Sequence, residues 1–248
     1  MTTTDQRRPS IPLERMPVEA MLACVEPFNG SRPADLEQLA RAVTRLRKPA
    51  QTVLLREGQS PDHLYVVLRG RVNLVRVADG GRDIILSTLG PGDIFGEGAA
   101  LGAVSASTTA VTAVPSEVAR IPASALGAHL QRDPQTALRL MKLMSQKLRD
   151  VESVASGLAL CDVEERLRRT LVRLARRQAR GTPGSDGWII APMPTQSELA
   201  RMVGSCRETV SRTLSAMGRN GLVHSRGRRM VLTEQLVSEV DSSVNHAA

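Results

Sequence analysis

The stretch GSCRETVSRTL, Gly204–Leu214, lies between the segments ELARMV and SAMGRNGLV, and its pattern decides the fold of the C-terminal part. The pattern predicts a helix starting near Thr195, a turn at Gly204, and a second helix from about Cys206 to Asn220, which Gly221 ends. Two helices joined in this way form a helix-turn-helix. The residues predicted to be buried between them are Leu199, Met202, Val203, Val210 and Leu214.

Three charged residues, Arg207, Glu208 and Arg212, stand near the start of the second predicted helix. Their spacing places all three on the exposed side of its first two turns. Arginine can donate two hydrogen bonds to guanine O6 and N7, and glutamate can accept one from cytosine N4. We therefore predict that these side chains read DNA bases. An ordinary helical hairpin with a solvated charged face is the alternative.

Other residues nearby predict contacts with DNA phosphates. Thr195 precedes the first helix and Ser211 lies on the second, and hydroxyl contacts to phosphate position a protein without specifying sequence. The segment HSRGRRMVLT that follows predicts a small β-hairpin wing. Its Arg226, Arg228 and Arg229 are further candidates for phosphate contact.

Composition is consistent with a polyanionic partner for the C-terminal part. The formal net charge is +8, and the region from Asp162 onward, with 14 Arg and 9 Asp plus Glu, contributes +5. The 248 residues can form two small cores. No leader-like segment is present and no apolar run approaches the roughly 18 residues of a membrane span. A cytoplasmic protein with no membrane partner is therefore expected.

The N-terminal half predicts short helices followed by a β-rich domain. Residues 1–16 are polar and aperiodic, which predicts a flexible arm. Helical patterns cover Val18–Glu26 and Pro33–Leu46, with Ser31 as a possible cap. From Thr52 to Pro122, short β-branched runs alternate with turn residues, including a hairpin signal, ADGG, at residues 78–81. Many short strands at close spacing indicate a β-barrel or jelly roll.

From Pro134 the hydrophobic period changes to that of a coiled coil. The narrow apolar seam favours a partner helix, most simply in a homodimer, over packing on the chain's own barrel. Beyond it, Val163 to Gln178 predicts an arginine-rich helix, and Gly181 to Trp188 predicts a loop. The seam residues are Met141, Met144, Leu148, Val151, Ala155 and Leu158.

SELARMVGSCRETVSRTLSAMGRNGLV resembles the DNA-binding domain of the CRP/FNR transcription regulators, and the resemblance extends from about residue 20 onward. GPGDIFGE, Gly90 to Glu97, is similar to that family's glycine-rich barrel turn, and PSEVARIP to the strand leading out of the barrel. The resemblance implies an α+β fold: a cyclic-nucleotide-binding-type β-roll, a central dimerisation helix and a winged helix-turn-helix. The expected domains are a 1–16 arm, a 17–133 β-roll, a 134–161 dimerisation helix and a 162–248 DNA-binding domain.

The resemblance also identifies where a cyclic nucleotide would bind. In cAMP-binding members a glycine-glutamate pair holds the ribose, and an arginine in a following Arg-Ser/Thr-Ala element neutralises the phosphate. Gly96 and Glu97 match the pair, whereas Ala103–Ala110, which includes Ser107 and Thr108, contains no arginine. Val151-Glu152 replaces the Thr-Ser pair that touches adenine. We therefore expect a degenerate pocket without tight cAMP binding.

Other sensors and functions fit the sequence less well. Three isolated cysteines, Cys24, Cys161 and Cys206, predict neither disulfides nor a zinc or iron–sulfur site. His63 is the only histidine in the barrel strands, which disfavours haem and a cupin-like metalloenzyme. No cofactor or metal is expected. A signalling module without DNA would leave the charged recognition helix unexplained.

The sequence thus predicts a non-enzymatic, homodimeric transcription regulator that binds inverted-repeat promoter DNA, as activator or repressor, without requiring cAMP. A regulator of the same fold gated by cAMP, cGMP or a cyclic dinucleotide is the alternative. The resemblance implies that the loop Gly181–Gly187 can contact RNA polymerase.

Overall fold

The computed structural model describes residues 11–77, 83–102, 105–179 and 187–245. The chain divides into two compact units, one ending at Asp150 and the other beginning at Val151. The helix from Pro134 to Leu160 crosses this boundary. In the described parts of the chain, no helix is both long enough and apolar enough to cross a membrane.

The first unit is built on two antiparallel four-stranded sheets, which confirms the predicted β-rich domain. In one sheet the strand order is β1-β8-β3-β6, and in the other it is β2-β7-β4-β5. The predicted ADGG turn lies outside the described residues, although Val77 and Asp83 on either side of it are paired in register. The strands are β1 Thr44–Lys48, β2 Val53–Leu55, β3 His63–Arg69, β4 Val72–Val77, β5 Asp83–Leu89, β6 Ile94–Phe95, β7 Thr109–Thr112 and β8 Ser116–Pro122.

Strand β3 shows how one sheet supports two cores. Successive side chains of a strand point to opposite faces. Leu64 and Val66 therefore join a core that includes buried residues of the helices, whereas Tyr65 and Val67 join a core shared with the second sheet. All four side chains are buried, which explains the nearly continuous apolar run of this strand.

The helices of the first unit are α1 Val18–Ala23, α2 Pro33–Ala40 and α3 Ala123–Arg132. The helix predicted over Pro33–Leu46 is wrong beyond Ala40, because Thr44–Lys48 pairs with β8 as a strand. The last residues of the predicted flexible arm are also packed against the rest of the first unit. Leu13 is buried in a short 3₁₀ turn, and the Arg45 guanidinium donates to the Glu14 and Met16 carbonyls.

A polar cluster fixes the start of the long helix α4, Pro134–Leu160. Arg139 donates to the Pro27 carbonyl (2.6 Å) and to the Asp133 carboxylate (3.1 Å). Ser31, predicted as a cap of α2, instead donates to Asp133 at 2.6 Å, and Arg32 is the residue at the start of α2. Thr136 also donates to Asp133. The α4 start is thereby joined to the segment between α1 and α2.

The second unit contains the predicted helix-turn-helix, in α6 and α7, together with a small sheet. The sheet order is β10-β11-β9, so the predicted wing hairpin gains β9 as a third strand. This strand begins at Trp188, which was expected in a loop. Of the predicted buried residues, Leu214 is only half-buried, whereas Met217 is fully buried. The elements are α5 Val163–Ala179, β9 Trp188–Ile190, α6 Gln196–Val203, α7 Arg207–Arg219, β10 Val223–Arg226, β11 Arg229–Leu232 and α8 Glu234–Asn245.

Replacing Asp133 with Asn tests the polar cluster. Burial alone would raise the pKa of the Asp133 carboxyl, but hydrogen bonds from Ser31 and Thr136 and the Arg139 charge lower this pKa to about 2. Because the folded-state pKa lies below the unfolded one, the stabilisation is present above roughly pH 4 and is lost as pH falls toward 2. Asp133→Asn should lower the free energy of unfolding of the first unit by about 2 kcal/mol at neutral pH.

The sequence contains one tyrosine and one tryptophan, so each unit has its own optical probe. Tyr65 lies in the first unit and Trp188 in the second. When urea unfolding is followed by the tyrosine signal, Asp133→Asn should show a lower free energy of unfolding than the wild type. The transition followed by the tryptophan signal should change little. If the difference in free energy of unfolding between variant and wild type stays constant from neutral pH down to roughly pH 2, the lowered pKa of Asp133 is not the cause.

Candidate nucleic-acid interface and sensor pocket

A capping box and a left-handed glycine determine the helix-turn-helix geometry. Thr195 Oγ1 accepts the Glu198 N–H at 3.2 Å, and the Glu198 carboxylate accepts the Thr195 N–H at 2.8 Å. At the other end of α6, Gly204 has φ 61°, a conformation that glycine adopts without a steric penalty. Two residues later, Cys206 is the N-cap of α7.

Helix α7 separates an apolar face from a charged one. Val210 and Met217 are buried, whereas Arg207, Glu208 and Arg212 are all exposed. The structure therefore places the three predicted base-reading side chains together on the solvent face of the first two turns. The polar ends of these side chains point away from the core and are able to reach base edges in a DNA groove.

The ionisation of Glu208 is set by its place at the helix start. A backbone N–H hydrogen bond, followed by one from the Cys206 thiol, lowers the pKa of the Glu208 carboxyl. Glu208 is therefore an ionised acceptor at neutral pH. Arg212 lies one turn further along, with Nη2 3.5 Å from the Thr209 hydroxyl.

The predicted phosphate-contacting residues divide into two groups. Thr195 is exposed, although its hydroxyl already forms the α6 cap, and Ser211 is half-buried on α7. In the wing, Arg226 and Arg229 are paired across β10 and β11. Arg228 lies in the turn between these strands, and all three wing arginines are exposed.

In the sensor pocket, backbone packing fixes the position of Glu97. Gly96 has φ 78°, and an added Cβ would lie 2.7 Å from the His63 carbonyl oxygen, so a side chain is excluded there. Glu97 follows directly and is hydrogen-bonded to the Lys147 ammonium, which also donates to the Ile94 carbonyl at 2.6 Å. Sequence reasoning missed Lys147, because nothing local to α4 indicates a partner 50 residues away.

The other predicted pocket residues lie in the segment before β7 and on α4. Ser107 is exposed and Thr108 is half-buried just before β7, whereas residues 103 and 104 lie outside the described residues. Val151 and Glu152 are exposed on α4 and belong to the second unit.

The predicted seam of α4 is largely solvent-exposed in the single chain. Met144 is half-buried against the core that includes the helices. The remaining seam residues are exposed: Met141, Leu148, Val151, Ala155 and Leu158.

The three cysteines are free thiols. Cys24 and Cys206 are exposed, and Cys161 is half-buried. Across the described ranges, no three His, Cys, Asp or Glu side chains are grouped to hold a metal ion. The Nδ1 atom of His63 lies 2.7 Å from the carboxylate of the neighbouring Asp62.

Two family models match the chain in the order of its two units. The cyclic nucleotide-binding domain matches residues 45–133, and the Crp-like helix-turn-helix domain matches residues 165–236. The first match covers the two sheets and α3, and the second covers α6, α7 and the wing.

Similar proteins cover most of the chain. The cAMP-activated global transcriptional regulator Vfr of Pseudomonas aeruginosa is 31% identical over 201 residues, 79% of this chain and 92% of Vfr. The CRP-like cAMP-activated global transcriptional regulator of Mycobacterium tuberculosis is 26% identical over 217 residues, 88% of this chain and 96% of that protein.

Among solved structures, the c-di-GMP responsive global regulator CLP of Xanthomonas campestris has a TM-score of 0.65 and 28% identity, covering 81% of this chain and 99% of CLP. Two of these relatives are global transcriptional regulators, and the third is a global regulator that links cell-cell signalling to virulence gene expression. The chain therefore belongs to the CRP/FNR family and is a CRP-like transcription regulator with a helix-turn-helix DNA-binding domain.

Proposed function

We propose that this regulator acts as a homodimer that binds inverted-repeat DNA and does so without a cyclic nucleotide. The observation that carries the DNA-binding part is the exposed group Arg207, Glu208 and Arg212 on the first two turns of α7. In a helix-turn-helix, the N-terminal residues of the second helix contact base edges in the major groove.

We assign base reading to these three residues from their chemistry. Arg207 and Arg212 supply guanidinium groups suited to guanine, and Glu208 supplies an ionised acceptor suited to the cytosine amino group. Arg226, Arg228 and Arg229 of the wing would contact phosphates. Ser211 would add a hydroxyl contact, and Thr195 would contribute mainly through the α6 cap.

The dimer part of the proposal rests on α4. Exposed apolar side chains that recur along one helix face mark an association surface. Leu148 is 59% exposed and Val151 is 45% exposed on this helix. A twofold dimer through α4 would place two recognition helices one DNA turn apart, about 34 Å, which requires an inverted repeat. In functional terms, we propose a 17–133 sensor unit, a 134–161 dimer helix and a 162–248 DNA-binding unit.

Nucleotide independence is supported by the sensor pocket. The segment between β6 and β7 carries no arginine that could neutralise a cyclic phosphate. In addition, the Glu97 carboxylate is already bound to the Lys147 ammonium. The second candidate is nucleotide gating, because Gly96 and Glu97 are retained and the similar regulators include cAMP-activated and c-di-GMP responsive proteins.

The test of the proposal as a whole is selection of binding sites from a randomised duplex pool at one stated salt concentration, with and without nucleotide. We expect the purified protein to select an inverted repeat without nucleotide. Calorimetric titration with cAMP, cGMP and c-di-GMP should show no micromolar binding. Selection that occurs only with one of these nucleotides would support gating and reject independence.

Substitution of the base-reading residues should change sequence preference. Arg207→Ala or Glu208→Ala removes a contact to one base pair in each half-site, so discrimination there should fall by roughly 1–3 kcal/mol. Comparative selection on half-site variants measures this loss. Arg219→Ala, at the exposed end of the same helix, is the matched control and should leave base preference unchanged.

By contrast, Arg228→Ala or Arg229→Ala should lower the affinity for all DNA sequences alike and reduce the salt dependence of binding. Unchanged base preference in the Glu208 variant would show that α7 is placed wrongly on the DNA.

A charge on the α4 seam should separate the dimer. Leu148→Asp places a carboxylate in the proposed interface, where an unpaired charge is strongly unfavourable. We expect a monomer by light scattering, together with loss of most affinity for the full inverted repeat. Leu160→Asp is the control, because Leu160 is 81% exposed on α4 outside the seam spacing. A Leu148→Asp protein that remains dimeric would exclude this interface.

A further inference from the structure

Lys147 joins helix α4 to the end of strand β6 through two acceptors. Its Nζ donates to the Ile94 carbonyl at 2.6 Å and to the Glu97 carboxylate. The Lys147 side chain is 29% exposed and that of Glu97 is 19% exposed. This ion pair is therefore partly shielded from solvent, and salt screens it less than it would a surface pair.

The position of Lys147 along α4 is as informative as its contacts. Earlier on the helix, Leu140 is buried, and Leu143 and Met144 pack against the core that includes the helices. Lys147 is the last described α4 residue of the first unit with a side-chain hydrogen bond to the sheet region. The next residue, Leu148, is 59% exposed. Lys147 thus lies at the end of the part of α4 that packs on the first unit.

The backbone on the acceptor side of the pair is closely packed. The Gly96 backbone lies so close to the His63 carbonyl that only glycine fits, and Tyr65 stacks on Phe95 with ring centroids 4.7 Å apart. Glu97 follows these packed residues directly, so the packing of the sheet sets where its side chain begins. The Lys147 ammonium therefore meets a carboxylate and a carbonyl that both extend from this packed backbone.

We propose that Lys147, the Ile94 carbonyl and Glu97 form an internal latch that holds α4 on the β-roll. The Lys147 latch occupies the Glu97 carboxylate with the protein's own cation. The latch thereby fixes the position of the α4 seam relative to the β-roll. A dimer needs such a fixed seam if its two recognition helices are to match one spacing on the DNA. This inference rests on the proposed function, because it gives the physical reason for activity without a nucleotide.

Amide hydrogen exchange on the full-length protein tests the latch independently of DNA. Lys147→Met keeps an apolar stem but removes the ammonium, and Glu97→Gln keeps the size of the acceptor but removes its charge. We expect α4 amides around residues 141–148 to exchange on the order of tenfold faster in Lys147→Met. The double variant should exchange no faster than Lys147→Met alone, since Lys147→Met already removes the cation that the Glu97 charge attracts.

Lys142→Met is the matched control, because Lys142 is exposed on the same helix. If exchange in Lys147→Met equals that in Lys142→Met, the latch is excluded. Glu97→Gln keeps the experiment decisive if Lys147→Met folds poorly, since unchanged α4 exchange in that variant also excludes the latch.

Binding to the selected inverted repeat separates this inference from the proposed function. We expect the nucleotide-free affinity for DNA to fall on the order of tenfold in Lys147→Met but not in Lys142→Met. That result supports both the latch and nucleotide independence. If wild-type protein binds without nucleotide and Lys147→Met binds equally well, the latch is overturned and nucleotide independence stands. If wild-type protein binds only with nucleotide, the proposed independence fails, and the exchange comparison alone decides whether the latch exists.

Discussion

Strand β3 is the constraint on which the first unit depends, because its alternating side chains belong to two cores at once. Leu64 and Val66 face the core that includes the helices, and Tyr65 and Val67 face the second sheet. A shift of one residue in its register would exchange these sets. The same strand pairs with β6 through Tyr65 and Phe95, and its His63 carbonyl excludes any side chain at position 96. The backbone position of Glu97 is thus a consequence of how the sheet packs.

In the second unit, a comparable constraint acts over a much shorter range of sequence. The Thr195 capping box begins α6, Gly204 turns the chain, and the burial of Val210 and Met217 fixes the rotation of α7 about its axis. Once that rotation is set, Arg207, Glu208 and Arg212 can only face solvent. The ion pairs from α5 to α8, Arg168 with Glu239 and Arg176 with Asp241, use other residues and do not involve these three charges.

These two cases explain what the sequence could predict. The helix-turn-helix was predictable because its caps, turn glycine and apolar spacing all lie within about 27 residues. The start of β1 was not predicted, because Thr44 is a strand residue owing to pairing with Arg120, 76 residues away. Ser31 likewise appeared to be a helix cap, but its hydroxyl is bound to Asp133, 102 residues distant. Long-range partners of this kind leave no periodic or local signal.

The choice of lysine at position 147 follows from the shape of its two acceptors. The chain carries 33 lysine and arginine residues, of which only Lys48, Lys142 and Lys147 are lysines. A guanidinium is a planar fork whose nitrogens point in fixed directions, which suits the two oxygens of one carboxylate. An ammonium instead directs three hydrogens tetrahedrally, and so can bond a carbonyl and a carboxylate from residues three positions apart. The Lys147 ammonium therefore satisfies both acceptors from one nitrogen, whereas Arg139 reaches the Pro27 carbonyl and the Asp133 carboxylate through two different nitrogens.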